Sequence, residues 1–241
     1  MEILKFRLSG ETAFFKKPDV NSYFYYTYNN IHKIALLGIL GSILGLKGYN
    51  QQRDYNAFPE FYEKLKDIKL SVVPLKDSFN KKIQTFTNTS GFYNEDSNKL
   101  PCTLLYKEQW LENPEWEIYI LLDDSDLLQE LKDRLINLKF VYNPYLGSNK
   151  HFANIDEIKV IEDYKIINNA NRIDSLYNKK DFAVTGKCND DPNQWKTEEY
   201  LPVGLQDHTN LYNIRPFVNT NMSIEGSKDI WVVNEKNLYF E

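Results

Sequence analysis

The thirteen residues Ile34-Ala-Leu-Leu-Gly-Ile-Leu-Gly-Ser-Ile-Leu-Gly-Leu46 are apolar on nearly every face. As a helix they span about 20 Å, which is short of the roughly 30 Å hydrocarbon core of a bilayer. The stretch therefore predicts a helix buried in a globular core, and we expect no membrane partner. Gly38, Gly41 and Gly45 lie on or near one face of it. Because glycine has no side chain, another backbone can approach this face closely. Such close packing would offset the loss of about 1 kcal/mol of helix propensity per glycine.

Predicted strands and helices flank this helix in a familiar order. Residues 2–9 alternate apolar and charged side chains and predict a strand. The further predicted elements are a short helix at 58–66, a strand at 68–74, a long hairpin at 78–108, a strand at 116–122, a helix at 124–136 and a strand at 155–167. Strand, helix, strand, strand, helix, strand is the order of the ferredoxin-like α+β fold, whose open sheet face is a common RNA platform. We therefore predict a ferredoxin-like βαββαβ domain at 1–165 and a smaller β-rich C-terminal region at 166–241.

The hairpin at 78–108 is predicted to project from the domain, because its tip at 94–99 is too polar to pack. Its first strand mixes aromatic residues with cationic, amide and hydroxyl side chains, which are suited to phosphates and base edges. These polar candidates are Lys81, Lys82, Gln84, Thr85 and Asn88. An ordinary exposed hairpin whose threonines serve β propensity explains the composition equally well.

The net charge of −5 argues against an indiscriminate polyanion binder. The charge is uneven, however: residues 1–110 hold 15 Lys+Arg and 11 Asp+Glu, a balance of +4, whereas residues 111–241 hold 14 and 23, a balance of −9. The basic half contains the apolar helix and the hairpin. Two cysteines allow neither a disulfide framework nor a four-cysteine zinc site, and the charged N-terminal segment is unlike a signal peptide. We expect a cytoplasmic protein with free thiols and no cofactor.

Candidate catalytic groups are few. The glycines of the apolar helix lack the Gly-Lys-Ser/Thr ending of a phosphate-binding loop, and the aspartates at 123–126 fit a helix cap better than a metal site. Three histidines are scattered without metal-ligand spacing. Lys150-His151 is a pair that could support metal-free RNA cleavage, in which a base removes the 2′-hydroxyl proton and a cation stabilises the phosphorane. Two solvent-facing loop residues are the favoured interpretation.

Several short motifs match one family. Phe6-Arg-Leu-Ser-Gly-Glu-Thr-Ala-Phe14 resembles the N-terminal G-x-x-A-x-F signature of the CRISPR-associated Cas-five family. Thr27-Tyr28, the segment Gly38–Gly45, the thumb-like residues 81–88 and the turn Asn143-Pro-Tyr-Leu-Gly147 are similar to later family blocks. The resemblance runs from residue 6 to about 155 and is most like the subtype I-B branch.

Membership would make this chain a RAMP-type subunit of Cascade that caps the interference complex and grips the 5′ handle of the CRISPR RNA. The resemblance implies a Cas-seven-type backbone subunit, a Cas-eight-type large subunit and target DNA as further partners. It also implies that the chain binds RNA without cutting it. The residues assigned to RNA binding on this basis are Gly10, Lys16, Lys17, Tyr28, His32, Lys33 and Arg53, together with Lys81, Lys82, Gln84, Thr85 and Asn88 of the hairpin.

Two alternatives stay open. In subtype I-C the Cas-five member itself cleaves repeat RNA with Tyr, Lys and His, and the nearest candidates here are Tyr49, Lys150 and His151. The second alternative is a ferredoxin-like RNA-binding protein outside CRISPR systems, which would make the N-terminal match a coincidence.

Overall fold

A computed structural model describes residues 2–19, 23–90, 102–185 and 193–241, without the side chains of residues 88–90, 102 and 103. The predicted polar tip of the hairpin at 94–99 lies outside the described residues, as do Cys188 and the side chains of Asn88 and Cys102.

The protein is α+β, with many short strands and few helices. The helices are α1 (Lys33–Leu44), α2 (Glu60–Leu65) and α3 (Asp126–Ile136), with a 3-10 turn at Tyr49–Gln51. The strands of the N-terminal half are β1 (Glu2–Ser9), β2 (Thr12–Ala13), β3 (Phe24–Tyr25), β4 (Leu70–Pro74), β5 (Lys81–Ser90), β6 (Cys102–Glu112), β7 (Glu115–Leu122) and β8 (Asn154–Ile161). Those that follow are β9 (Lys165–Ile167), β10 (Tyr177–Asn178), β11 (Phe182–Val184), β12 (Lys196–Leu205), β13 (Tyr212–Thr220), β14 (Ile224–Gly226), β15 (Ile230–Val233) and β16 (Lys236–Leu238).

Four antiparallel strands in the order β4-β7-β1-β8 form the central sheet. Alternation along β1 places Leu4, Phe6 and Leu8 on one face, where they are fully buried in the main core with α1 and α3. Along the chain β1, α1, β4, β7, α3 and β8 follow one another, with β2, β3, the 3-10 turn, α2 and the β5–β6 hairpin lying between them.

The other face of the central sheet is not an open platform. Lys5 forms an ion pair of 2.8 Å with Glu117, which also pairs with Lys236 of β16. Burial opposes ionisation of Glu117, but the hydrogen bonds from Lys236, Lys5 and Tyr119 prevail and lower its pKa to about 2. Farther along β1, the Arg7 guanidinium donates two hydrogen bonds, of 2.6 and 2.8 Å, to the carboxylate of Asp156. Ion pairs and a C-terminal strand therefore occupy the sheet face that was expected to be an open platform.

The glycines of α1 have three different roles. A Cβ at Gly41 would stand 2.6 Å from the Cβ of Phe61, so α2 packs tightly there, as predicted. Gly45 instead ends the helix with φ +77°, a left-handed conformation that suits glycine. Gly38 departs from the prediction, because a Cβ there would meet no atom within 4 Å. Its missing side chain leaves open space.

One local prediction needs correction. The strand predicted over 155–167 is two strands, β8 and β9, separated at residues 162–164. In the predicted β-rich region, β15 and β16 form a hairpin that is turned by Asn234 and Glu235 at positive φ. The predicted aspartate cap of α3 is seen only in part: Asp123 accepts a hydrogen bond of 2.9 Å from the Ser125 amide and Asp126 lies in the first turn, but the N-cap residue Ser125 makes no side-chain capping bond. No metal-binding cluster of His, Cys, Asp or Glu occurs among the described residues.

The C-terminal region packs on the same core as the central sheet. Leu201, Leu205 and Phe217 belong to the hydrophobic cluster that contains α1. The Tyr62 hydroxyl of α2 accepts a hydrogen bond of 2.9 Å from the Leu205 amide. Within the described ranges, no helix combines the length and apolar character needed to cross a bilayer.

Candidate nucleic-acid interface

The predicted long hairpin is present as β5 and β6, with β2 and β3 beside β6. Side chains alternate along β5, so Lys82 and Gln84 lie on one face, while Lys81 and Thr85 lie on the other. The five predicted polar residues of the hairpin therefore do not form one surface. Asn88 pairs with Leu104 in the same register.

The face that carries Lys82 is rich in aromatic rings. Lys82, Gln84 and Phe86 of β5 lie opposite Trp110, Glu108 and Tyr106 of β6, and we call these six residues the hairpin face. The Phe86 ring stacks on Tyr106 at 5.3 Å between centroids and lies 5.7 Å from Trp110. Tyr25 of β3 extends the row, with its centroid 5.6 Å from that of Tyr106.

Three lysines lie over these rings. Lys150 Nζ stands 4.1 Å from the Phe86 centroid, Lys82 Nζ 5.6 Å from Trp110, and Lys16 Nζ 4.0 Å from Tyr25. The lysines come from three separate segments of the chain. Cations interleaved with aromatic rings are the arrangement that single-stranded nucleic acid favours, because the cations meet phosphates and the rings stack on bases.

The hairpin face contains the buried Glu108, and the buried His151 packs against it at Trp110. Glu108 accepts a hydrogen bond of 2.8 Å from the Trp110 indole. The His151 ring meets Trp110 edge-on at 4.6 Å, and its Nδ1 lies 2.6 Å from the Thr12 hydroxyl. Burial, helped by the charges of Lys150 and Lys82, lowers the pKa of His151 to about 4. The expectation of a solvent-facing His151 is therefore wrong, since its ring is 1% exposed.

Other predicted RNA-binding residues are buried inside the fold. His32 caps α1 by accepting a 3.2 Å hydrogen bond from the Ala35 amide, and burial lowers its pKa to about 3. Tyr28 is only 3% exposed, and burial raises the pKa of its phenol. Gly10 is also buried, since a Cβ there would stand 2.7 Å from the Leu146 side chain. These three residues are largely enclosed by the fold, although His32 also lines a groove beside α1.

Three predicted cations lie apart from the hairpin face. Lys17 forms a 2.8 Å ion pair with Glu199, and Lys33 reaches the Glu241 carbonyl at 3.4 Å. Burial lowers the pKa of Lys33, although nearby Glu241 and Asp67 oppose the shift. Arg53 is exposed and forms no ion pair within the described part of the chain.

A groove opens beside the hairpin face, between α1, the 3-10 turn and the 142–147 segment. It encloses about 750 Å³, and its walls include Lys16, Tyr49, Tyr142 and Tyr145, with Gly38 of α1 on the helix side. We call it the helix groove. Lys16 belongs to both features, because it lines the groove and lies over Tyr25.

The three residues of the cleavage alternative are not brought together as a unit. Tyr49 lines the helix groove, where burial raises the pKa of its phenol. Lys150 lies on Phe86, and His151 is enclosed beneath Trp110. The described ring contact of Tyr49 is with Phe61, and the groove that Tyr49 lines includes neither Lys150 nor His151.

The sequence analysis did not predict the aromatic residues of the hairpin face that lie on β6. Tyr106 and Trp110 alternate on β6 with the same period as Lys82 and Phe86 on β5, so pairing the two strands in register would have found them. Tyr145 is the tyrosine of the recognised Pro-Tyr-Leu-Gly turn and Tyr142 lies just before that turn, but the chain offers no local signal that they face α1.

Comparison with known proteins shows which solved structures share the fold of this chain. No family model matches the chain, and no curated protein sequence matches it. Among solved structures, a CRISPR protein from Archaeoglobus fulgidus superposes with a TM-score of 0.57 at 8% identity, over 99% of this chain and 98% of that one. A chain of a CRISPR RNA-guided surveillance complex superposes with a TM-score of 0.54 at 10% identity, over 93% of this chain and 91% of that one.

This chain shares its fold with these two CRISPR proteins. The likeness covers nearly the full length of all three chains, so it includes the β-rich C-terminal region as well as the central sheet. At such low identity the agreement concerns backbone architecture, and any function must be argued from the side chains.

Proposed function

We propose that this protein is a subunit of a CRISPR RNA-guided complex that binds the 5′ handle of the CRISPR RNA through its hairpin face. The observation that carries the proposal is the placement of Lys82, Lys150 and Lys16 over the aromatic rings of Phe86, Trp110 and Tyr25. Such a surface binds unpaired RNA by combining phosphate contacts with base stacking.

The fold likeness and the N-terminal motif favour the CRISPR setting over a general RNA-binding role. One structural neighbour is a CRISPR RNA-guided surveillance complex, and residues 6–14 resemble the Cas-five signature. On this basis we propose a ferredoxin-like RAMP core built on the β4-β7-β1-β8 sheet, and a place in a subtype I-B complex. A Cas-seven-type backbone subunit, a Cas-eight-type large subunit and target DNA would be its neighbours there.

We further propose that the chain binds RNA without cleaving it. The groups of the cleavage alternative are dispersed: Tyr49 lines the helix groove, and His151 is enclosed beneath Trp110. A phenol whose pKa is raised and an imidazole whose pKa is lowered to about 4 are both poorly matched to proton transfer at neutral pH.

The test measures affinity for repeat-derived RNA by fluorescence anisotropy. In the double variant Lys82→Ala/Lys150→Ala we expect binding to weaken about tenfold or more, and the salt dependence to become shallower by about 0.7 per lost phosphate contact. The control is Lys81→Ala/Lys64→Ala, which removes the same charge from the opposite hairpin face and from α2. Equal losses in both double variants, or none in either, would refute the assignment of the hairpin face.

A further inference from the structure

The helix groove is a second candidate site, and neither the motifs nor the fold likeness assigns it a ligand. We propose that it holds one unpaired nucleotide, whose base lies among the tyrosines while the rest of the RNA strand follows the hairpin face. This inference rests on the proposed function, since it assumes that the hairpin face binds RNA.

The helix side of the groove is open because of glycine. A Cβ at Gly38 or at Gly48 would meet no atom within 4 Å, and Gly38 lines the groove from the middle of α1. Glycine inside a helix costs about 1 kcal/mol relative to alanine, and close packing recovers that cost at Gly41 but not at Gly38. Gly38 makes the groove deeper, since any side chain at this position would project into it.

The remaining walls match the chemistry of a nucleotide. Tyr49, Tyr142 and Tyr145 are 41%, 52% and 45% exposed, so their rings have free surface for stacking. The Tyr49 phenol is protonated at neutral pH and can donate a hydrogen bond, and partial burial raises its pKa further. Asn50 adds an amide. Among the described residues that line the groove, none carries a carboxylate that would repel a phosphate.

The groove is large enough for one unpaired nucleotide, and its position suits a strand that lies on the hairpin face. A volume of about 750 Å³ falls within the range of roughly 300–1,000 Å³ typical of small-molecule sites. A base can stack on protein rings only when it is unpaired and turned out of its own strand. Lys16 marks the entrance, because its Nζ lies over Tyr25 at 4.0 Å and Tyr25 in turn contacts Tyr106 of the hairpin face. A strand on the hairpin face therefore passes the mouth of the groove.

The experiment places 2-aminopurine at each position of the repeat-derived RNA in turn and measures its fluorescence on the full-length protein. We expect one position to show quenching that the free RNA lacks, because the tyrosines stack on that base. Gly38→Leu fills the groove and should abolish this quenching and weaken binding about tenfold, whereas Gly38→Ala should retain most of both. Tyr145→Ala removes an exposed ring from the opposite wall and should act like Gly38→Leu without disturbing α1.

The outcomes separate the two proposals. If wild-type protein binds the RNA but Gly38→Leu and Tyr145→Ala leave affinity and fluorescence unchanged, the groove inference is overturned and the proposed function stands. If wild-type protein fails to bind the RNA, both are overturned. Loss of quenching at one position in both variants, with the Lys82→Ala/Lys150→Ala variant weakened separately, supports both.

Discussion

Alanine at Gly38 and at Gly41 provides a sharp test of how α1 packs. The two positions lie in the same helix, so both substitutions gain about 1 kcal/mol of helix propensity. At Gly38 the new methyl group meets open space, and we expect the full gain. At Gly41 it would stand 2.6 Å from the Phe61 Cβ, well inside ordinary contact, so α2 must move away. Overpacking of this kind costs about 1–3 kcal/mol, which leaves Gly41→Ala destabilised by up to about 2 kcal/mol.

Urea unfolding followed by tyrosine and tryptophan fluorescence measures the difference. With a denaturant slope of about 3 kcal/mol/M, a gap of about 2 kcal/mol between the variants separates their midpoints by about 0.7 M. Gly38→Ala should unfold at higher urea than the wild type, and Gly41→Ala at lower urea. Equal shifts in one direction would show that propensity alone governs both sites, and would contradict both the close α1–α2 contact and the open helix groove.

Three further predictions concern protonation, catalysis and the sheet face. The pKa values of His32 and His151 are lowered to about 3 and about 4 in the folded protein, so as the pH falls these histidines become protonated in the unfolded chain before they do in the folded one. Lowering the pH from 7 to 5 should therefore reduce the free energy of unfolding by about 2 kcal/mol per histidine. His151→Gln should remove about half of this pH dependence in urea titrations. Labelled repeat RNA incubated with the purified chain in EDTA should stay intact, and specific cleavage that His151→Ala abolishes would establish the endoribonuclease alternative. Lys236→Ala leaves the buried Glu117 with Lys5 as its remaining cation and should destabilise the protein by about 1–3 kcal/mol without changing RNA affinity, whereas a loss of RNA binding would place RNA on the sheet face.

Hydrophobic pattern predicted the elements that local sequence controls. The alternation in residues 2–9 became β1, because it leaves one way to bury the apolar side chains, and the apolar run at 34–46 became α1, because it is too long for a typical buried strand. The ends of the C-terminal strands were harder to predict from the sequence. The reversal at Asn234 and Glu235 depends on two residues at positive φ, and nothing in their neighbours marks it in advance.

Some residues of the candidate site could be predicted from the sequence and others could not. Lys82 and Gln84 follow from composition and strand alternation, and their partners on β6 from register. Three other assignments, Tyr28, His32 and Gly10, concerned residues that the fold buries, because capping and packing outweigh exposure at those positions. The approach of Lys150 to Phe86 could not be read from the chain, since the two residues belong to separate segments that only the tertiary fold brings together.

The central claim is that RNA lies along the hairpin face, and photo-cross-linking tests it most directly. Repeat-derived RNA carrying 4-thiouridine is irradiated on the full-length protein, and mass spectrometry identifies the modified peptides. We predict cross-links in β5 and β6 and in the segment that carries Tyr145 and Lys150. Cross-links confined to the charged sheet face around Lys5 and Arg7, with none on the hairpin, would contradict the claim.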